Sequence, residues 1–138
     1  VSINIGSIVW PGSGCQSVKL YLGFLIEVIE AFDIKFSGDD FDPVAISKKY
    51  VSGEVLSQAR EECAKVWWGR LESEGALQDF ESHDALIARL ALCLLVVDEN
   101  NVGRLGESLS WFLEVIGFLG LDVDRSIEIM ERYFSFSG

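Results

Sequence analysis

Between Gln16 and Phe32 the apolar residues return every three or four positions. Val18, Leu22, Leu25, Ile29 and Phe32 form one stripe, and Glu27 and Glu30 lie on the other side. That period predicts an amphipathic α-helix. Gly23 sits inside it and costs a helix about 1 kcal/mol against alanine, so it marks a place where a neighbouring helix comes close. Asp42-Pro43 reads as an N-cap followed by proline at the first helical position. It opens a short helix to about residue 50. Ser52 is the candidate cap for a longer helix over residues 54–73, with Leu56, Ala59, Cys63, Val66, Trp67 and Leu71 on one face. Glu61, Lys65 and Glu72 share another face with Trp68.

Farther along, Ser82 is placed to cap a helix over residues 84–97, whose Leu86, Ile87, Leu90, Leu94 and Val97 belong in a core. This segment has no charge after Arg89, so it is predicted to lie deep. Residues 102–119 are apolar nearly all round, which predicts burial on most sides. Leu105, Leu109, Phe112, Val115, Ile116 and Leu119 are its interior candidates. Trp111 is also expected in the core. Glu107, Ser110 and Glu114 form its thin polar stripe. Gly120 is a natural C-cap, and Asp122 caps a last helix to about residue 134 with Val123, Ile127, Met130 and Phe134 inward.

Six helical patterns on short connections predict an all-α fold: a single-domain bundle of about five to six helices spanning residues 1–138. Residues 1–14 carry no charge and are broken by Pro11, Gly12 and Gly14. They read as a short extended N-terminal arm that lies along the body or swaps into a neighbour.

Composition narrows the function classes. With 138 residues, 49% of them hydrophobic, the chain can enclose one sizeable core. It carries 22 acids against 11 bases, a net charge of −11. Such a surface repels phosphate backbones and anionic membranes, so neither nucleic acid nor a membrane is an expected partner. No run approaches the roughly 18 apolar residues of a membrane span. A basic protein is the natural electrostatic complement. Residues 70–138 hold thirteen of the acids and five of the bases, so the imbalance is strongest in the second half. Cys15, Cys63 and Cys93 are odd in number and far apart, which argues against a disulfide framework and for a reducing cytoplasm.

The stretch "DIKFSGDDFDP", Asp33 to Pro43, concentrates carboxylates around one glycine. A calcium loop starting at Asp33 would place Gly38 at its sixth position. It would also need oxygen ligands where Lys35, Phe41 and Val44 stand, so that pattern fails. What remains is a helix connection in which Asp42 caps the next helix and Asp39 and Asp40 have no structural duty. These two are the first candidates for contact with a basic partner. Asp42, Glu61, Trp68 and Glu72 complete the candidate set, since an exposed tryptophan among charges suits an interface anchor.

No catalytic constellation accompanies them. His83 is the one histidine and sits in a first helical turn, no phosphate-binding or nucleophile motif is present, and the cysteines lack metal-ligand spacing. The expectation is a protein that is not an enzyme and needs neither cofactor nor metal.

The segments "AKVWWGRLE", "HDALIARLALCLL" and "LGESLSWFLEVIGFLG" resemble helical bacterial immunity proteins of contact-dependent growth inhibition and related polymorphic toxin systems. The resemblance covers about a quarter of the chain and rests on no shared signature. It implies a protein that neutralises a cognate, basic nuclease toxin through an acidic surface. Two other classes stay open. One is a helical adaptor or regulatory subunit, homodimeric through an apolar patch; the other is a small helical enzyme or ligand carrier. The last would show a pocket with polar groups converging around Glu107 or His83.

Overall fold

Short polar side chains close the first turns of most helices, as their spacing predicts. In the computed structural model, which describes residues 5–36, 41–73 and 82–137, the fold is all-helical. Six α-helices are formed among the described residues: α1 (Gly14–Ala31), α2 (Pro43–Val51), α3 (Ser57–Ser73), α4 (His83–Leu95), α5 (Leu105–Phe118) and α6 (Val123–Tyr133). Ser13, Asp42, Ser82 and Asp122 each accept a hydrogen bond from backbone amides of the helix that follows. α5 has no such cap and is entered instead from a 3-10 turn, Val102–Arg104.

Three helices end in the same way. After α1, α2 and α5 the chain turns through a left-handed residue, respectively Asp33 (φ 53°), Gly53 (φ 83°) and Gly120 (φ 77°). The amide of that residue and the amide of the next bond back into the last turn, as Asp33 N–H does to Glu30 O at 3.1 Å and Ile34 N–H to Ile29 O at 3.0 Å. This pairing satisfies carbonyls that the helix itself cannot. It also explains a departure from expectation. Gly53 ends α2 with Ser52 as its C-cap, so Ser52 does not open α3. α3 starts at Ser57, and Leu56, expected inward, is left outside the helix at 80% exposure.

α4 is the central element. From Ala85 to Leu95 every residue except Arg89 is buried. It packs against α2, α3 and α5, while α1 packs against α2, α5 and α6. α5 buries less than its composition suggested. Leu105, Leu109, Phe112, Val115 and Ile116 are enclosed, but Phe118 is exposed and Trp111 is half-buried at the surface. At 100° per residue, Trp111 lies about 120° around the helix from the stripe centred on Leu105, Leu109, Phe112 and Ile116. Ile127, Val123 and Leu119, also expected inside, are only half-buried.

Gly23 behaves as predicted. It faces Tyr133 of α6, and a methyl group there would overlap the phenol oxygen. Phe24 next to it contacts Phe112, Tyr133 and Phe134, joining α1, α5 and α6 in one aromatic cluster. Residues 1–4 of the expected arm lie outside the described residues. Residues 5–7 form a 3-10 turn, and Ile8 makes an isolated antiparallel bridge to Phe136 near the other end of the chain.

Candidate partner-binding face

The buried end of α4 organises the region where the candidate residues meet. Its sequence offers no glycine to turn the chain back and no basic residue in the last turn. Its terminal carbonyls still require donors, and these come from other helices. The Tyr21 hydroxyl of α1 donates to Cys93 O at 2.8 Å. Arg60 of α3 donates through Nη2 to Leu94 O at 2.9 Å and to Val97 O at 3.3 Å. Arg60 is only 2% exposed, and its guanidinium lies 4.7 Å from the Tyr50 ring centroid. Burial lowers its pKa from the usual arginine value. The positive charge nonetheless sits where the helix dipole favours it.

Tyr50 in turn donates to the Glu99 carboxylate, which also takes a longer bond of 3.4 Å from Ser57. Burial, followed by its bond to Glu99, raises the Tyr50 pKa, so the phenol stays protonated near neutrality. The cluster Arg60–Tyr50–Glu99–Ser57 therefore holds the α4–α5 connection against α2 and α3.

Two hollows flank this buttress. The larger, about 430 Å³, lies between α4 and α5 with Trp68 of α3 on its edge. Leu92, Cys93 and Leu105 line it, Trp68 and Trp111 border it, and Arg89, Arg104, Asp98 and Glu107 supply its charges. Burial pushes the Cys93 thiol up to about 12, so this sulfur is a packing group and not a nucleophile. The smaller hollow, about 240 Å³, is formed by Ser57, Arg60, Glu61 and Ala64 of α3 against Leu95 to Asp98. Val96, Val97 and Asp98 line both.

The sequence-derived candidates fall into separate places. Asp39 and Asp40 lie outside the described residues. Asp42 is occupied as a cap, its Oδ1 accepting from the amides of Val44 and Ala45 at 2.9 and 3.3 Å. Glu61, Trp68 and Glu72 are all exposed on α3, within a narrow arc of the helix. Trp67 stands on a different face. It is 3% exposed and donates through Nε1 to Phe41 O at 2.8 Å, while Phe36 packs edge-on against it at 5.9 Å. Trp67 thus ties both limbs of the acidic connection to α3. Cys63 and Trp67 lie 120° or more around α3 from Glu61. Asp42 is therefore not brought onto the Glu61–Trp68–Glu72 face.

Val96, Asp98, Glu107 and Trp111 join that face, and the sequence reading had not connected them to it. No sequence signal singled out Val96, since the consecutive apolar residues that precede it on α4 are all buried. Arg60 did have a signal, since α4 ends without a local cap and must find a donor elsewhere. Among the described residues no group of three or more His, Cys, Asp or Glu side chains is placed to hold a metal ion. No described helix is long and apolar enough to cross a membrane. No protein-family model matches the chain, and neither the curated proteins nor the solved structures contain a match.

Proposed function

We propose that the protein is an immunity-type inhibitor that neutralises a basic nuclease toxin by covering it with an acidic surface. The observation that carries this reading is the outward face of α3. It presents Glu61, Trp68 and Glu72 together, with Trp68 41% exposed, on a chain of net charge −11. Nucleases hold phosphates in basic clefts, so clustered carboxylates speed the encounter with them and a desolvated aromatic anchor slows release. An inhibitor of this kind works by occupancy and needs no reacting group of its own.

The test is co-expression with the toxic domain of a nuclease toxin, sought first among the genes that flank this one. The full chain restores growth and forms a stable complex with that domain. Glu61→Lys and Glu72→Lys together slow association at least fivefold and flatten its salt dependence. Trp68→Ala raises the dissociation rate about tenfold or more. Toxicity that persists at stoichiometric inhibitor defeats the reading.

One observation favours a second reading, a ligand carrier. The hollow of about 430 Å³ is lined by Glu107 and Ser108 beside two tryptophans, and that volume is in the range that encloses a small molecule. Saturable quenching of tryptophan fluorescence by a small molecule, lost in Trp111→Ala but unchanged in Glu61→Lys, would favour this reading over the inhibitor.

A further inference from the structure

We infer that the contact surface for the partner runs from the outward face of α3 across the end of α4 to the start of α5. It takes a partner segment that presents one basic and one large apolar side chain about 10 Å apart. This rests on the inhibitor reading above and specifies what that reading leaves open: which surface binds, and which side chains it selects.

Large apolar side chains exposed on the described surface are few. Two of them, Trp68 at 41% and Val96 at 49%, border the same hollow. Val96 also borders the smaller hollow and forms the ridge between the two. An exposed tryptophan and an exposed valine beside a concave apolar floor make the kind of desolvated centre that anchors an interface.

The two hollows select different chemistry. In the larger, Arg89 and Arg104 are balanced by Asp98 and Glu107, and Arg104 Nε lies 3.5 Å from the Glu107 carboxylate. Its rim therefore has no net preference for a charge. The floor of Leu92, Cys93 and Leu105 favours an apolar or aromatic plug.

The smaller hollow is unbalanced. Glu61 and Asp98 line it, both exposed, and neither belongs to an ion pair among the described residues. The one base there, Arg60, is buried and already engaged by the carbonyls of Leu94 and Val97. Asp98 Oδ1 already accepts from the Asn100 amide at 2.9 Å, but covering the two charges with an apolar partner still carries a desolvation penalty, which a lysine or arginine offsets. The stem of such a residue would lie along Ala64, Leu95 and Val96 while its charged end meets Glu61 and Asp98.

Spacing then defines the segment. Glu61 and Trp68 are seven residues apart on α3, about 10 Å along its axis. A partner helix matches this with side chains at i and i+7, which share one face; an extended strand does not, because residues about 10 Å apart along it point to opposite sides. A second copy of this chain is a poor occupant, because two bodies of net charge −11 repel.

Selection of displayed random peptides, about 14 residues long, on the immobilised full chain tests the inference without the toxin. The expected clones pair Lys or Arg with Trp, Phe or Leu at a spacing of seven. Their binding weakens at least tenfold in Val96→Glu and in Glu61→Lys, each checked for unchanged helical circular dichroism and thermal midpoint. Clones lacking the pair, clones that bind both variants like the parent, or no enrichment at all would overturn it. The growth assay separates the two ideas. Full rescue by Val96→Glu sinks this surface and leaves the inhibitor standing. Failure of rescue by the parent chain sinks the inhibitor, whatever peptides are selected.

Discussion

The guanidinium of Arg60 donates to the carbonyl of Leu94 at 2.9 Å, across the interface between α3 and α4. An arginine that is 2% exposed is costly to bury, and among the described residues no carboxylate is directly bonded to this one. It is held instead by peptide oxygens at the C-terminal end of a helix, by the Tyr50 ring, and by the dipole that favours a cation at that end. The two hollows of the candidate face open on the loop that this arrangement secures.

Replacing Arg60 by methionine keeps much of its apolar bulk but strips Leu94 O and Val97 O of their donor. Charged hydrogen bonds and unsatisfied buried carbonyls each carry about 1–3 kcal/mol, so the expected loss is about 3 kcal/mol in urea unfolding. Lysine at this position recovers only part of it, because one ammonium cannot reproduce the fork and the ring contact. A loss below about 1 kcal/mol in Arg60→Met would show that water or local rearrangement satisfies the end of α4.

Alkaline pH is expected to destabilise the fold through its buried thiols and phenols. Cys93 titrates at about 12 in the folded chain against an ordinary value of 9.0, so its neutral form is favoured by folding. That contribution is complete below pH 9 and is lost as pH rises from 9 towards 12. At pH 10 the loss from Cys93 is about 1.4 kcal/mol. Burial also raises the pKa values of Tyr21 and Cys63, and both act with the same sign. In Cys93→Ala the drop in unfolding free energy between pH 8 and pH 10 should shrink by about that amount. An unchanged drop would refute the assignment.

Two helical glycines should respond differently to alanine. At Gly14, the first residue of α1, a methyl group meets the backbone carbonyl of Glu99, which cannot rotate away. The gain in helix propensity, at most about 1 kcal/mol, is outweighed by overpacking of about 2 kcal/mol or more. Gly23→Ala instead meets the end of the Tyr133 side chain. Its cost should therefore fall when Tyr133→Phe removes the oxygen, a coupling that a double-mutant cycle in chemical denaturation reads directly.

Asp33 occupies the left-handed turn that ends α1, a place where glycine is free of strain. Its ion pair with Lys35 is exposed on both sides and contributes little. Asp33→Gly is expected to raise the unfolding free energy by about 0.5–1 kcal/mol, which a shift in denaturation midpoint would report. A decrease would mean that the aspartate side chain supports the turn more than its backbone strains it.

Much of the fold was legible because its signals are local. Helix periods identified the elements, and Asp42, Ser82 and Asp122 marked three starts through hydrogen bonds that span two or three residues. Gly120 marked an end, and Gly23 announced a close approach before Tyr133 was known to be the neighbour. Errors arose where burial depends on what stands opposite. Trp111 and Leu56 look like core residues by type, yet Trp111 is only half-buried and Leu56 is 80% exposed.

Considered by itself, the sequence determined that the chain folds as helices, where most of them start, and that its surface is acidic. These properties reside in neighbouring residues or in sums over the chain. Tertiary structure decided the candidate face. It set Asp42 apart from Glu61 and Trp68 by hanging the acidic connection on Trp67, on another side of α3. It then brought Val96 and Asp98, some 30 residues away in sequence, beside Glu61 and the edge of Trp68. The physical reason is the end of α4: a buried helix without a local cap drew Arg60 and Tyr21 to its last carbonyls, and that docking set which side chains stand together at the surface.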